Sequence, residues 1–367
     1  MSRPKSRMMV GQAPHIHARQ SSASLAWGAV LALLPAFCWG LYCFGLGALL
    51  PVAAAVVSSL LGEAIVGLFL RRMTLFDGTA FLTGFIVGLA MPPAVPLYVP
   101  VAASLFAVCI IKGVFGGLGS NWMNPALGGI AVALLNWPRE MATWTWPSHL
   151  AGVAGVSGAT PLGFVHLHPA AGNAPGDPLG ILGGAGFHFS NLDTSVTSSL
   201  NDGFFRLFGA SLPSGYIDIL VGNKAGAIGE LSGLLLLAGS IILISRRIIR
   251  WEIPASILGT FGLLVWIFGG LQPGGGFFSG DVLFELLSGS LILVAFFCAT
   301  DPVTSPSTRP GMLLYGAGIG ILVFILRRFG STAEGGAFAV IIMNCLVPAI
   351  SRAELRGRRG AKGRDRG

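Results

Sequence analysis

Residues 157–162 read Ser157-Gly158-Ala159-Thr160-Pro161-Leu162, a run of small residues that presents an accessible hydroxyl at Thr160. Pro161 biases Thr160 toward an extended backbone, and Gly158 and Ala159 leave its oxygen open to approach. Such a segment suits either an ordinary turn or a site of covalent modification. A second set of chemically capable residues is acidic. Glu63, Asp77, Glu230, Asp281, Glu285, Asp301 and Glu334 fall inside or at the ends of long apolar runs. An ionised carboxylate costs about 2.5 to 3.5 kcal/mol at a bilayer centre, so these groups should face a protein interior or a water cavity and mark ion or proton routes. Glu63, Asp77, Glu230, Asp301 and Glu334 are the pathway candidates. For Asp77, Asp281 and Asp301, at run ends, capping a helix N-terminus is an equal alternative.

Other reactive types carry less. Cys38, Cys43, Cys109, Cys298 and Cys345 lie in or beside apolar runs with no C-x-x-C pair. They read as packing residues, with neither a disulfide nor a metal site expected. His166 and His168 could face one way only on a strand, so a metal pair is disfavoured. Gly274-Gly275-Gly276 follows Pro273 at the end of an apolar run and reads as a turn, not a nucleotide fingerprint. No catalytic side chain is assigned.

The elements that must position these residues are membrane helices. The 367 residues are 53% hydrophobic and only 10% charged, with a mean hydropathy of +0.76. That is too little charged surface for a soluble globule. Apolar runs of spanning length, about 20 residues each, cover residues 25–46, 48–70, 226–245, 254–271, 282–299, 311–327 and 333–350. Three more, broken by Gly or Pro, fit at 78–94, 95–114 and 124–136. The fold expected is therefore all-α and polytopic, with about ten transmembrane helices.

Basic residues then set the topology, because they concentrate in cytoplasmic loops. With ten spans and an inside N-terminus, 18 Lys and Arg fall inside and 5 outside, including Lys112 inside and Arg327 outside. Both termini are expected in the cytoplasm of a bacterial cell, with the chain in its inner membrane. The organisation is a cytoplasmic segment 1–24, a first membrane set 25–136, an extracytoplasmic segment 137–225, a second membrane set 226–350 and a basic tail 351–367. Two sets of five invite the reading of related halves, although internal similarity is weak. The tail is a topology anchor near lipid headgroups and implies no nucleic-acid partner.

Longer blocks carry a resemblance. Asp77-Gly78-Thr79-Ala80 with Thr83-Gly84 and Pro92-Pro93, Lys112-Gly113-Val114-Phe115-Gly116-Gly117-Leu118-Gly119, and Asn124-Pro125-Ala126 come first. Gly222-Asn223, Gly229-Glu230-Leu231-Ser232, residues Ala299-Thr300-Asp301-Pro302-Val303-Thr304-Ser305-Pro306, and Glu334-Gly335-Gly336-Ala337-Phe338-Ala339 with Met343-Asn344 follow. Together, over residues 14–350, they resemble the D subunit of the Rnf complex and the B subunit of the sodium-pumping NADH:quinone reductase. Pro14-His15 after a short N-terminal segment is more similar to the Rnf subunit.

The resemblance implies that Thr160 carries FMN through a phosphoester made by a separate flavin transferase, with Ser157, Gly158 and Ala159 completing its motif. The family's acidic residue a few positions upstream is replaced by Ala154-Gly155-Val156. It further implies a second, non-covalent flavin such as riboflavin, and flavin and iron-sulfur subunits as partners. The function implied is electron transfer between ferredoxin and NAD coupled to Na+ or H+ movement. A solvent-facing or flavin-facing role suits His166 and His168. The competing reading from layout alone is a channel or transporter without redox chemistry.

Overall fold

The computed structural model describes residues 21–71, 74–117, 119–147, 158–167, 177–184, 187, 189–271, 276–330 and 335–364. The chain is helical and polytopic. Among the described residues four helices are long and apolar enough to cross a membrane: α1 (Ser22–Phe44), α2 (Leu46–Leu70), α15 (Arg309–Phe329) and α16 (Gly336–Arg364), the last by its part Gly336–Ala353. Ser21 caps α1 by accepting the Ser24 N–H. Gly45, at φ +56, turns the chain directly into α2, a conformation costly for any residue with a Cβ.

The remaining apolar helices are shorter. They are α3 (Thr79–Leu89), α4 (Tyr98–Leu105) continuing as a π-helix over Phe106–Val114, α5 (Pro125–Asn136), α11 (Gly233–Ser245) and α12 (Glu252–Phe268). At 1.5 Å per residue, α3 covers roughly half of a bilayer's hydrocarbon thickness. The apolar run at 226–245 forms helix only from Gly233, where Ser232 accepts the Leu235 N–H. The preceding residues cross as buried, non-helical backbone instead. Ile228 N–H donates to Met91 O at 3.2 Å and Gly229 N–H to Leu89 O at 2.8 Å, which satisfies backbone that lipid could not.

The run at 282–299 is likewise not one helix. It divides into α13 (Val282–Leu287), a break in which Gly289 takes φ +73, and α14 (Leu291–Leu293), which runs into a π-helix over Val294–Cys298. The apolar runs are thus shared among long, half-length and interrupted helices.

Small residues bring the helices together. In the first set, Gly84 and Gly88 of α3 lie against Ala55, Ser59 and Val52 of α2, and Ser59 Oγ donates to Ala80 O at 2.9 Å. In the second, Gly316 and Gly320 of α15 lie against Ile253 and Ile257 of α12, and Ser256 Oγ donates to Leu313 O at 2.6 Å. Close backbone approach replaces the hydrophobic drive that is absent between helices in lipid.

Between the two sets run α6 (Pro138–Met141), α7 (Pro161–Leu167), α8 (Pro178–Gly184), α9 (Asn191–Gly203) and α10 (Tyr216–Val221). Leu162, Leu179, Leu182, Tyr216 and Ile219 form a small core with Phe284 of α13. Buried Asp193 organises the neighbouring loop by accepting N–H groups of Gly215, Ile217 and Asp218.

Candidate cofactor and ion sites

Thr160 is buried at the start of α7, where its Oγ1 accepts the Gly163 N–H at 3.1 Å. Gly158 N–H donates to Trp144 O at 3.0 Å, and a Cβ on Gly158 would overlap the Trp146 indole. Glycine is therefore required by close approach. Thr160 opens on a cavity of about 360 Å³ walled by α5, the α6 turn, the 290–298 segment and Ala337. Its walls are mainly apolar, among them Leu127, Leu134, Met141 and Trp144, with Glu230 as the ionisable group. Glu230 Oε1 accepts the Ala227 N–H at 3.0 Å.

A second cavity, of about 160 Å³, lies between the two helix sets. Thr79, Lys112, Asn121 and Asn124 come from the first set, and Phe296, Phe297, Thr300 and Asp301 from the second. The buried Oδ1 of Asn121 has no hydrogen-bond partner. Asn124 caps α5 by accepting the Ala126 N–H and spans the two sets by donating to Cys298 O at 2.9 Å. Asp301 accepts the Val303 N–H and the Thr304 hydroxyl, both at 3.2 Å.

Lys112 joins this cavity to a buried charge relay. Its Nζ donates to Glu63 Oε1 at 2.8 Å and to Thr79 Oγ1 at 2.7 Å. Thr79 in turn donates to Asp77 Oδ1 at 2.6 Å, and the Thr74 hydroxyl also donates to Glu63. Both Lys112 and Glu63 are under 5% exposed, so the ammonium stands where a cation would otherwise neutralise the carboxylate.

The third cluster lies at the other end of the second set. Glu285 accepts from His166 Nε2 at 2.8 Å and from Arg327 Nη1 at 3.1 Å. Arg327 also donates to the Glu285 and Ser288 carbonyls and stacks over the Phe261 ring at 5.0 Å. A small cavity of about 70 Å³ adjoins it. At its rim Asp281 caps α13 by accepting the Phe284 N–H and receives the Tyr216 hydroxyl. Burial pushes the Asp281 carboxyl above the usual range, while those two hydrogen bonds pull it back down.

One stretch walls all three cavities in chain order. Residues 279–285 line the cavity beside Glu285, 290–298 the Thr160 cavity, and 296–303 the cavity between the sets. The break at residues 288–290 and the π-helix are what let a single length of chain face three spaces. π-Helical turns widen a helix and re-aim its side chains, and they recur at functional sites.

The acidic candidates therefore divide. Glu63 and Asp77 join one relay through Lys112 and Thr79, and Asp301 lines the cavity that Lys112 enters. Glu230 accompanies Thr160. Asp77 also accepts the Thr79 N–H beside the start of α3, so it takes part in the turn as well as in the relay. Ser157, Glu334 and His168 lie outside the described residues. Gly158 and Ala159 are in place beside Thr160.

Sequence reasoning assigned Lys112 and Arg327 to loops on opposite faces, but both are buried partners of carboxylates. The usable signal was a cation next to or within an apolar run, a costly placement unless a carboxylate awaits it. His166 faces Glu285 and keeps about one-fifth of its side chain exposed.

A family model described as NQR2, RnfD, RnfE family matches residues 9–358. The D subunit of the ion-translocating oxidoreductase complex of Stutzerimonas stutzeri is 40% identical over 336 residues, covering 88% of this chain and 87% of that one. The D subunit of the proton-translocating ferredoxin:NAD(+) oxidoreductase complex of Clostridium ljungdahlii is 33% identical and covers 95% of each chain. The D subunit of the Na(+)-translocating ferredoxin:NAD(+) oxidoreductase complex of Acetobacterium woodii is 33% identical, covering 94% of this chain and 93% of its own.

Proposed function

The chain belongs to the NQR2, RnfD, RnfE family, and from that premise we propose that it is the flavin-carrying membrane subunit of an Rnf-type ferredoxin:NAD oxidoreductase. Its place in an ion-translocating membrane oxidoreductase follows from the family. The finer reading assigns FMN in phosphoester linkage to Thr160 and a second, non-covalent flavin such as riboflavin to the cavity between the helix sets. The observation that carries it is a threonine hydroxyl in an S-G-A-T motif opening on a cavity of about 360 Å³ in a membrane protein.

The residues present fit both groups. Thr160 offers the oxygen, Gly158 keeps the approach free of a Cβ, and Leu127, Leu134, Met141 and Trp144 exclude water from a planar apolar ring. In the second cavity the unpartnered Asn121 Oδ1 is an acceptor for a ring N–H, and Phe296 and Phe297 supply aromatic edges. Flavin, when bound, supplies one- or two-electron redox chemistry that no side chain here can.

The chain's own carboxylates are suited to ion or proton handling. Glu63, Asp77 and Asp301 surround the second cavity through Lys112, Glu230 faces the first, and Glu334 is retained as a candidate from the sequence. Both termini are placed in the cytoplasm and residues 137–225 on the outer face of the inner membrane, a placement supported by the charge asymmetry of the loops. A flavin transferase is the maturation partner, and flavin and iron-sulfur subunits of the complex are the redox partners. Mass spectrometry of the peptide containing Thr160, from cells making the transferase, should find FMN on that residue. An unmodified Thr160 in active complex would refute the assignment.

A further inference from the structure

Helix α7 has only seven residues and cannot persist on its own, so the position of Thr160 depends on what holds that helix. Leu162 packs it against Phe284 of α13, and two hydrogen bonds add direction. One is local, the Gly163 N–H on the Thr160 oxygen. The other is distant: His166 Nε2 lies 2.8 Å from Glu285 Oε1, across 119 residues of sequence. A carboxylate held by Arg327 is ionised and can only accept, so His166 Nε2 bears the proton and donates.

Glu285 is itself immobilised. Arg327 binds its side chain at 3.1 Å and its carbonyl at 2.7 Å, then reaches the Ser288 carbonyl at 3.1 Å. That carbonyl belongs to the break in the membrane segment. Immediately beyond the break, Ser290, Leu293, Val294 and Cys298 form the wall that Thr160 faces. The same guanidinium therefore fixes the helix that begins at Thr160 and the wall across from it. His166 is the link between the two, and it is one-fifth exposed, so it can be replaced without opening the buried pair.

We propose that His166 is a positioning residue, which through Glu285 and Arg327 sets the orientation of the group on Thr160 against the Val294–Cys298 wall. This rests on the reading that Thr160 carries the flavin. Loss of the link should leave the covalent bond intact and loosen what is attached, because His166 takes no part in the linkage.

The test uses the assembled complex with wild-type chain, His166→Ala, His166→Phe and His166→Gln. In-gel flavin fluorescence at this subunit's mass reports attachment, and polarised fluorescence and redox titration of that flavin report its position. Attachment should be equal in all four. Anisotropy should fall toward that of a freely rotating tethered flavin, with a shifted midpoint potential, in His166→Ala and also in His166→Phe, which keeps ring bulk without the donor. His166→Gln, which keeps an N–H donor, should recover most of both. A wild-type chain without in-gel fluorescence would defeat the Thr160 reading and this proposal with it. Fluorescent variants with wild-type anisotropy and potential would defeat the proposal alone.

Discussion

The two buried ion pairs use the same charges in different ways. Lys112 and Glu63 form a compact pair in the first helix set, and the ammonium divides its donors between one carboxylate oxygen and one hydroxyl at a cavity edge. Arg327 in the second set spreads its planar fork over a carboxylate and two main-chain carbonyls and stacks on an aromatic ring. A lysine ammonium is a compact point charge, whereas a guanidinium is a planar fork of five donors. The first pair is thus a single close contact at a cavity edge, and the second is a clamp on a broken helix.

Breaking the clamp should have the largest effect. Arg327→Met leaves Glu285 beside His166 alone and frees the Glu285 and Ser288 carbonyls, a loss of about 3 to 5 kcal/mol for an uncompensated buried pair. Detergent-solubilised complex should lose thermal stability and yield, and Arg327→Lys should not restore them because one ammonium cannot make the fork's contacts. Full stability of Arg327→Lys would erase the contrast between the pairs.

The relay should respond more in function than in folding. Glu63→Gln leaves an amide oxygen, beside the Thr79 hydroxyl, to accept from Lys112, so the complex should assemble. Ions moved per electron should nevertheless fall, as they should in Glu230→Gln, measured as uptake into proteoliposomes during electron transfer. Normal stoichiometry in both variants would make these carboxylates structural. A smaller effect is expected at Gly158→Ala, where the added methyl meets the Trp146 indole. The flavin load should drop several-fold with membrane insertion unchanged, read from fluorescence per unit of protein.

The same contrast marks what was legible in the sequence. Long uninterrupted runs such as Ser22–Phe44 and Leu46–Leu70 announced themselves, because length and apolarity are enough. The runs at 226–245 and 282–299 looked alike by hydropathy but contain buried non-helical backbone at 226–232 and at the 288–290 break. Hydropathy records a residue's taste for lipid, not whether its N–H is satisfied by its own helix or by Leu89 of another. Thr160 was legible because its motif is contiguous. The His166–Glu285–Arg327 cluster was not, since its members lie more than 40 residues apart and meet only through tertiary packing.

The central claim is that Thr160 is where the flavin is held. Thr160→Val keeps the side-chain shape and removes the oxygen, so the measurement is in-gel flavin fluorescence of this variant in cells that make the flavin transferase. The account predicts a membrane-inserted subunit with no fluorescent band at its mass. A band that persists at that mass would place the covalent flavin on another residue and contradict the site.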